Sequence, residues 1–182
     1  MSSQDQELWS KLTIRSFDPV GDLDDFMVWA SDERVPKYCF WDAVKSKEEA
    51  VEYINQNVIN HPYYKVICLN NRAIGVISLQ FNGGNDRCRC GVGYALGSRY
   101  WGKGIAAWAV KTLVSTTFEE RPELERIEAF VDVENIGSMK VLEKVGFTRE
   151  GVLRKYFIVK RRTRDMVLFS FLRTDIPQRG RG

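Results

Sequence analysis

Residues 97–110, GSRYWGKGIAAWAV, concentrate the residue types that bind phosphate groups. The glycines would let consecutive backbone N–H groups point at an anion, and Arg99 and Lys103 add positive charge. A helical pattern begins at Ile105, so the unpaired N–H groups of a helix N-terminus would follow the glycines directly. The segment therefore predicts a phosphate-binding loop, and three motifs overlap in it.

Two of the three motifs are disfavoured, one by its own residues and the other by its context in the chain. A P-loop fits residues 97–103 but needs a hydroxyl for magnesium at the next position, which is Gly104. A dinucleotide motif fits residues 102–107, but Asp132 follows Gly102 by thirty residues, whereas the usual spacing is about 20. Too little chain then remains for a doubly wound sheet.

The third motif, R-x-x-G-x-G from Arg99 to Gly104, uses every unusual residue of the segment. Backbone N–H groups, a helix N-terminus and two cations suit a diphosphate that is presented without a metal. Coenzyme A carries such a diphosphate. A glycine-rich turn without any ligand remains the alternative.

Length and composition favour one globular domain. The chain has 182 residues, of which 44% are hydrophobic, and we predict a single domain over residues 10–175 with flexible termini at 1–9 and 176–182. A net charge of +3 does not indicate nucleic-acid binding, but it fits an anionic small ligand.

Cysteine usage and hydropathy restrict the partners further. Four cysteines and the one histidine, His61, lack the spacing of a zinc site, so we expect no metal. No apolar run reaches about 18 residues, so we expect no membrane partner. With no signal peptide evident, we expect a cytoplasmic protein, with a nuclear location as a further option.

Hydrophobic periodicity predicts the elements that must position the loop. The order is β-α-α-β-β-β-α-β-α-β-β. Asn70 and Asn71 favour a tight hairpin, and Ser46 with Glu49 forms a capping box before a helix whose buried stripe includes Val51. The pattern predicts an antiparallel meander, one strand–helix–strand crossover around the loop, and a closing strand pair.

The crossover ends in a short helix with clear boundaries. Asn135 is its expected N-cap and Gly146 its expected C-terminal stop. Gly91 and Gly93 interrupt the strand before the loop, which indicates a bulge or the close approach of another backbone or a ligand. The fold class is therefore α/β with a mixed, mostly antiparallel sheet.

Two motifs together resemble a known family. RYWGKG, residues 99–104, resembles the acetyl-CoA loop of GCN5-related N-acetyltransferases (GNAT). NIGSMKVLEKVGFTREG, residues 135–151, is similar to a later signature of the RimJ/RimL-like branch, which contains ribosomal-protein N-terminal acetyltransferases. The similarity covers residues 12–173, and the sequence as a whole is similar to plant members. It implies a GNAT fold of about six to seven strands, flanking helices and a splayed central strand pair.

The resemblance also implies roles for individual residues. Coenzyme A would contact the strand end before the loop, the loop itself and the start of the later helix: Tyr94, Ala95, Leu96, Gly97, Arg99, Tyr100, Trp101, Gly102, Lys103, Gly104, Ile105, Ala106, Asn135 and Ser138. Ser138 matches the serine beside the thioester sulfur, and the base candidates are Asp42, Asp132 and Glu134, with the last two favoured. The acceptor would contact Tyr38, Trp41, Asp42 and Tyr156.

Two positions depart from the family pattern. Leu142 replaces a tyrosine that many relatives use as an acid, and Trp108 replaces a glutamate in the helix after the loop. We therefore expect an acetyl-CoA-dependent N-acetyltransferase acting on a primary amine of a protein N-terminus, a polyamine or another small molecule, as a monomer or homodimer. A non-catalytic coenzyme A-binding or protein-interaction module on the same fold is the alternative.

Overall fold

The computed structural model describes residues 3–176. Residues 1–2 and 177–182 lie outside this range, so their expected flexibility stays a prediction. A short helix, α1 (Ser3–Ser10), occupies most of the N-terminal segment for which the sequence predicts no element. Within the described range, every helix is too short or too polar to cross a bilayer.

The remaining elements follow the predicted order. The described helices are α2 (Leu23–Ala30), α3 (Lys47–Asn57), α4 (Ile105–Glu120) and α5 (Ile136–Val145). The described strands are β1 (Leu12–Ser16), β2 (Tyr64–Leu69), β3 (Arg72–Phe81), β4 (Arg89–Leu96), β5 (Arg126–Asp132), β6 (Thr148–Val159) and β7 (Arg162–Leu172).

The seven strands form one sheet in the order β1-β2-β3-β4-β5-β7-β6. β1–β2, β2–β3, β5–β7 and β6–β7 pair antiparallel, whereas β4–β5 pair parallel across the crossover helix α4. This sheet confirms the predicted α/β fold class.

The parallel pair β4–β5 separates soon after it forms. Its register covers only Arg89↔Arg126, Cys90↔Ile127 and Gly91↔Glu128. β4 continues to Leu96 and β5 to Asp132. The strands therefore splay from Gly91 onwards, as the resemblance implies, and the second half of β4 has backbone groups that β5 does not pair.

Local signals explain why the elements begin and end where they do. Asn70 and Asn71 adopt φ values of 50° and 62°, as a tight hairpin turn requires. The Asn135 side chain accepts a hydrogen bond from the Ser138 N–H, and Gly146 ends α5 at a φ of 105°. These three predictions are confirmed.

The contacts divide the chain into two compact units. The first contains residues 3–78 together with Tyr94–Ala106, and the second contains Leu79–Gly93 and residues 107–176. In the first unit α3 buries Ala50 and Ile54. The predicted buried position Val51 is 40% exposed, because it lies about 100° around the helix from Ala50.

The second unit has its own apolar core. β5 contributes Ile127 and Ala129, β7 contributes Phe169, and α5 contributes Leu142, all of them buried. Leu142 is fully buried, so the side chain that replaces the family's tyrosine serves as packing in this unit.

Candidate active site

The loop after β4 has the backbone conformation of an anion cradle. Gly102 and Gly104 adopt φ values of 75° and 78°, on either side of Lys103. L-residues rarely adopt such angles, whereas glycine does so without steric cost. A Cβ placed on Gly102 would meet no atom within 4 Å, so the backbone here faces open space where a ligand could approach.

The backbone N–H groups of this loop also favour an anion-binding site. No backbone acceptor among residues 3–176 pairs with the N–H groups of residues 102–106. The last of these belong to the first turn of α4, where the positive end of the helix dipole adds to the attraction for an anion. Arg99 and Lys103 are exposed beside them. This donor set fits the diphosphate of coenzyme A.

The end of β4 is held close to β3. Gly97 N–H donates to the Ile74 carbonyl at 2.9 Å, which keeps the strand in the sheet up to the loop. A Cβ on Gly75 would lie 2.4 Å from the Ala95 carbonyl oxygen, so only glycine permits this approach. The family resemblance implies that the backbone of Tyr94–Gly97 pairs with the pantetheine arm of coenzyme A, and these contacts hold that backbone in place.

One contact at this strand end was not foreseen from the sequence. The Trp101 indole Nε1 donates to the Leu96 carbonyl at 2.7 Å, and no sequence pattern predicts this bond. Trp101 remains 49% exposed. The indole thus binds a carbonyl on the strand that is expected to face the pantetheine arm.

A polar anchor holds the start of the loop. Ser98 Oγ donates to Asp32 Oδ2 at 2.5 Å, and Arg34 Nη2 donates to Ser98 Oγ at 2.7 Å. Arg34 also forms an ion pair with Asp32, and its hydrogen bond, followed by that of Ser98, lowers the pKa of Asp32. No local sequence pattern predicts this anchor, because Asp32 and Ser98 are 66 residues apart.

The three predicted acceptor residues of the first unit differ in their surroundings. Trp41 is half-buried and packs edge-on against Trp29, with ring centroids 6.2 Å apart. It also contacts Tyr53 at 5.8 Å. Asp42 is exposed, whereas Tyr38 is half-buried with Lys37 Nζ 4.9 Å from its ring. Trp41 therefore contributes to packing, whereas the Asp42 side chain is open to solvent.

In the second unit the end of β5 carries an ionic network. Arg164 Nε and Nη2 donate to the two carboxylate oxygens of Asp132 at 2.6 and 2.9 Å. Arg164 also pairs with Glu134 at 2.7 Å. The Asp132 side chain is only 1% exposed, whereas that of Glu134 is 61% exposed.

This geometry separates the two favoured base candidates. Both Asp132 oxygens already accept hydrogen bonds from Arg164, and protonation of Asp132 would break this buried ion pair. Asp132 is therefore suited to structure rather than to proton transfer. Its hydrogen bond, followed by that of Glu134, raises the pKa of Arg164, which keeps the network charged. Glu134 is the better-placed base candidate.

Asn135 and Ser138 meet at the N-terminus of α5. Asn135 Oδ1 accepts from the Ser138 backbone N–H at 3.1 Å, so the predicted cap is present. The Ser138 side chain is half-buried, and it lies one turn before Leu142. The proposed contacts of both residues with coenzyme A stay predictions.

Tyr156 belongs to an aromatic cluster of the second unit. Its ring stacks on Phe130 with centroids 5.3 Å apart and an interplanar angle of 16°, and it contacts Phe157 edge-on at 4.6 Å. The register of β6 and β7 shifts between Leu153 and Phe157, and this bulge lets Tyr156 lie over β5. Tyr156 is 47% exposed, so part of its ring is available to a ligand.

The predicted site residues therefore form two groups. The cradle, the end of β4 and the predicted acceptor residues of the 38–42 segment belong to the first unit. Asp132, Glu134, Asn135, Ser138 and Tyr156 belong to the second. Within residues 3–176, no group of three or more His, Cys, Asp or Glu side chains is arranged to hold a metal ion.

Comparison with known proteins identifies the family. The acetyltransferase (GNAT) domain matches residues 11–148. The chain is 32% identical to the uncharacterized N-acetyltransferase p20 of Bacillus licheniformis, across 91% of this chain and 94% of that protein. These matches identify an enzyme rather than a non-catalytic module.

Two solved structures share the fold. The spermidine N-acetyltransferase of Vibrio cholerae, in complex with CoA and spermine, has a TM-score of 0.73 at 23% identity, over 91% of this chain and 98% of that one. Mycobacterium smegmatis RimJ, in complex with CoA-disulfide, has a TM-score of 0.75 at 24% identity, over 92% and 84%. These proteins are bacterial, so the expected plant origin has no support.

Coenzyme A is present in both of those complexes, which agrees with the cradle described above. Glycines at positive φ, a row of N–H groups without backbone partners and a splayed parallel strand pair occur together in this chain. The chain belongs to the GNAT acetyltransferase family and is an N-acetyltransferase that uses acetyl-CoA.

Proposed function

We propose that the protein transfers the acetyl group of acetyl-CoA directly to a primary amine while both substrates are bound. The observation that carries this proposal is the row of N–H groups at residues 102–106, for which the described chain provides no backbone acceptor. Since N–H groups at a helix N-terminus carry the positive end of the helix dipole, such a row is suited to an anionic ligand.

The reaction needs a neutral amine, because an alkyl ammonium with a pKa near 10 has no free electron pair. Bound acetyl-CoA supplies the thioester, whose carbonyl carbon gains a bond to nitrogen and loses its bond to sulfur, leaving a thiolate. The amine releases one proton and the thiolate takes one up, so the products are the N-acetyl amide and free thiol.

The chain's own groups divide these tasks in our proposal. Glu134, exposed at the end of β5, receives the amine proton directly or through water. Backbone N–H groups of β4 beyond Gly91 stabilise the negative charge on the carbonyl oxygen, since β5 does not pair them. Ser138 passes its hydroxyl proton to the leaving sulfur and takes a proton from water in return, while Glu134 releases its proton to solvent.

The acceptor is a protein N-terminus, a polyamine or another small amine. The signature at residues 135–151 supports the RimJ/RimL-like branch, whereas the Vibrio cholerae relative with bound spermine supports a polyamine. We further propose a single domain over residues 10–175 and a monomeric or homodimeric state. Four free cysteines agree with a reducing compartment such as the cytoplasm or the nucleus.

Two measurements test the proposal. Calorimetric titration with coenzyme A should give a micromolar dissociation constant. Incubation with acetyl-CoA and a panel of N-terminal peptides and polyamines should release free thiol with at least one acceptor. A titration without detectable heat at several temperatures would contradict the cofactor assignment, and binding without thiol release across the panel would contradict transfer to an amine.

A further inference from the structure

Two hairpin turns of the described chain have the same backbone shape but are built from different residues. Asn70–Asn71 joins β2 to β3, and Lys160–Arg161 joins β6 to β7. All four residues have φ values between 50° and 62°. Asparagine tolerates this left-handed conformation, whereas a residue with a long side chain adopts it only at a steric cost. The second turn therefore retains a Lys–Arg pair that the fold itself disfavours.

A third cation of the same hairpin shares this conformation. Lys155 has a φ of 49° in the bulge of β6, where its N–H donates to Asp165 Oδ1 at 2.7 Å. Within residues 3–176, every non-glycine residue at positive φ is one of the two asparagines or one of these three cations. Because such outliers cluster at ligand-binding and other functional sites, the hairpin is a candidate binding surface.

The β6–β7 hairpin also carries positive charge that the described chain does not neutralise. Six of the eleven residues 154–164 are Lys or Arg, and none is acidic. Four of these cations are exposed, and their side chains form no hydrogen bond or ion pair with any residue that the structure describes: Arg154, Lys155, Arg161 and Arg162. These four exposed cations can therefore attract an external anion.

The strand that leads into this turn lies at the edge of the sheet. The strand order ends β5-β7-β6, so among the described strands β6 pairs with β7 on one side alone. Its other side presents the backbone groups of a twelve-residue strand, with which an extended peptide can pair. Ile158, which is 69% exposed close to the turn, adds an apolar contact. The surface thus combines a strand edge, cations and one apolar side chain.

This combination favours one kind of partner. Nucleic acids and anionic membranes attract positive charge without requiring a fixed turn, and neither pairs with a strand edge. A second copy of the chain would bring the same cations against each other, which opposes edge-to-edge pairing. An extended acidic peptide can satisfy the backbone groups, the charge and the exposed Ile158 together.

We propose that the β6–β7 hairpin binds an extended, acidic segment of a partner protein. The segment adds as a strand along the outer edge of β6, its carboxylates pair with the four exposed cations, and one of its apolar side chains covers Ile158. Three of the four cations are arginines, whose planar guanidinium groups bind carboxylates through two parallel hydrogen bonds. The surface belongs wholly to the second unit and does not depend on acetyl transfer.

A capped peptide tests the binding directly. The probe is a fluorescein-labelled peptide in which Glu alternates with Thr around one central Ile. Its N-terminus is acetylated, so it offers no amine for acetylation. Fluorescence anisotropy at low ionic strength should give a dissociation constant of about 10 µM. The same peptide with Gln in place of Glu, or with alternate backbone nitrogens methylated, should bind at least about fivefold more weakly.

A variant of the turn separates binding from folding. Lys160→Asn combined with Arg161→Gly installs residues that the turn conformation prefers, so the melting temperature should rise. The same change removes two cations, so peptide affinity should fall about 5- to 10-fold. Lys140→Ala combined with Lys144→Ala removes two exposed cations from α5 of the same unit and is the matched control. Its affinity for the peptide should stay within twofold of the wild type.

Each contrary outcome overturns the inference. The turn variant should not bind the peptide as well as the wild type, and it should not melt at a lower temperature. An equal loss of affinity in the α5 control would show that net charge alone attracts the peptide. Undiminished binding of the methylated peptide would exclude pairing along β6. A uridine oligonucleotide or phosphatidylserine vesicles that bind more tightly than the peptide would assign the surface to another class of partner. None of these results affects the proposed acetyl transfer, which thiol release tests separately.

Discussion

The cradle loop at residues 97–106 and the ionic network at the end of β5 are built from different materials. The loop presents backbone N–H groups, and its glycines at positive φ set their direction. The network consists of side chains, in which Arg164 bridges buried Asp132 and exposed Glu134. A site made of backbone depends on conformation, whereas a site made of side chains depends on charge and burial.

This difference teaches where each region is vulnerable. In the loop, replacing a glycine disturbs the backbone because other residues do not readily adopt its positive φ angle, even where there is room for a side chain. In the network, removing one charged side chain destabilises the fold because its buried partner loses the opposite charge that it was paired with. Damage to the loop should therefore affect ligand affinity first, and damage to the network should affect folding first.

The largest effect is expected at Gly104. Gly104→Val places a β-branched residue at a φ of 78°, which it adopts only with strain, so the cradle should rearrange. We expect coenzyme A affinity to fall about 100-fold or more, measured by calorimetry. Gly84→Val is the matched control, since Gly84 also has a positive φ of 60° and open space. Equal losses in both variants would show that strain, not the cradle, is responsible.

The network should respond mainly in stability. Arg164→Gln leaves the buried Asp132 carboxylate without its bidentate partner, and we expect the melting temperature to fall by about 10 °C. Adding Asp132→Asn to this variant should restore part of the loss. A single variant that melts like the wild type would contradict the structural role of the pair, and an unchanged double variant would contradict the mechanism.

Ser138 tests whether the second unit contributes to chemistry beyond its packing. Ser138→Ala should lower kcat about 10-fold and change the KM for acetyl-CoA by less than about twofold, as expected for a group that acts on the leaving sulfur. Ser115→Ala, an exposed serine on α4, is the control. Unchanged kcat would remove Ser138 from the proposed mechanism.

The smallest effect is expected at the loop anchor. Asp32→Asn weakens the contacts to Arg34 and Ser98, so the KM for acetyl-CoA should rise about threefold with little change in melting temperature. Asp24→Asn, which breaks an exposed ion pair with Lys47, is the control. A melting temperature that falls while KM stays constant would contradict the assignment of Asp32 to the loop.

The anchor also predicts a pH dependence. Arg34 and Ser98 lower the pKa of Asp32 from its ordinary value of 3.8. A carboxylate whose pKa is lower in the folded protein contributes its full stabilisation at any pH above its unfolded-state pKa. That stabilisation is lost only as the pH falls towards the folded-state pKa. The anchor should therefore hold unchanged from pH 8 to pH 5, and Asp32→Asn should weaken acetyl-CoA binding equally at both.

The sequence predicts the fold and the cradle well because their signals are local. Asn70–Asn71, Asn135 and Gly146 each fix a boundary through their own backbone preferences, and the glycines of the loop do the same. The splay of β4 and β5 was expected from the family resemblance, and the register shows where it begins.

The side-chain networks could not be predicted from the sequence, because their partner residues are far apart in the chain. Asp132 was favoured as a base from its position at a strand end, but Arg164 lies 32 residues later and contacts both of its oxygens. The link from Asp32 to Ser98 and the indole bond of Trp101 have no sequence pattern either. Val51 was predicted to be buried, but the buried face of α3 contains Ala50, the residue before it, and Val51 is exposed.

The indole bond at Leu96 has a consequence for the free protein. A strand whose backbone groups are not paired on one side can recruit an extended segment from another molecule. Trp101 occupies one of the carbonyls at the end of β4 with a group from the same chain. We therefore expect this bond to leave one acceptor fewer at the open strand edge for another copy to pair with when no cofactor is bound.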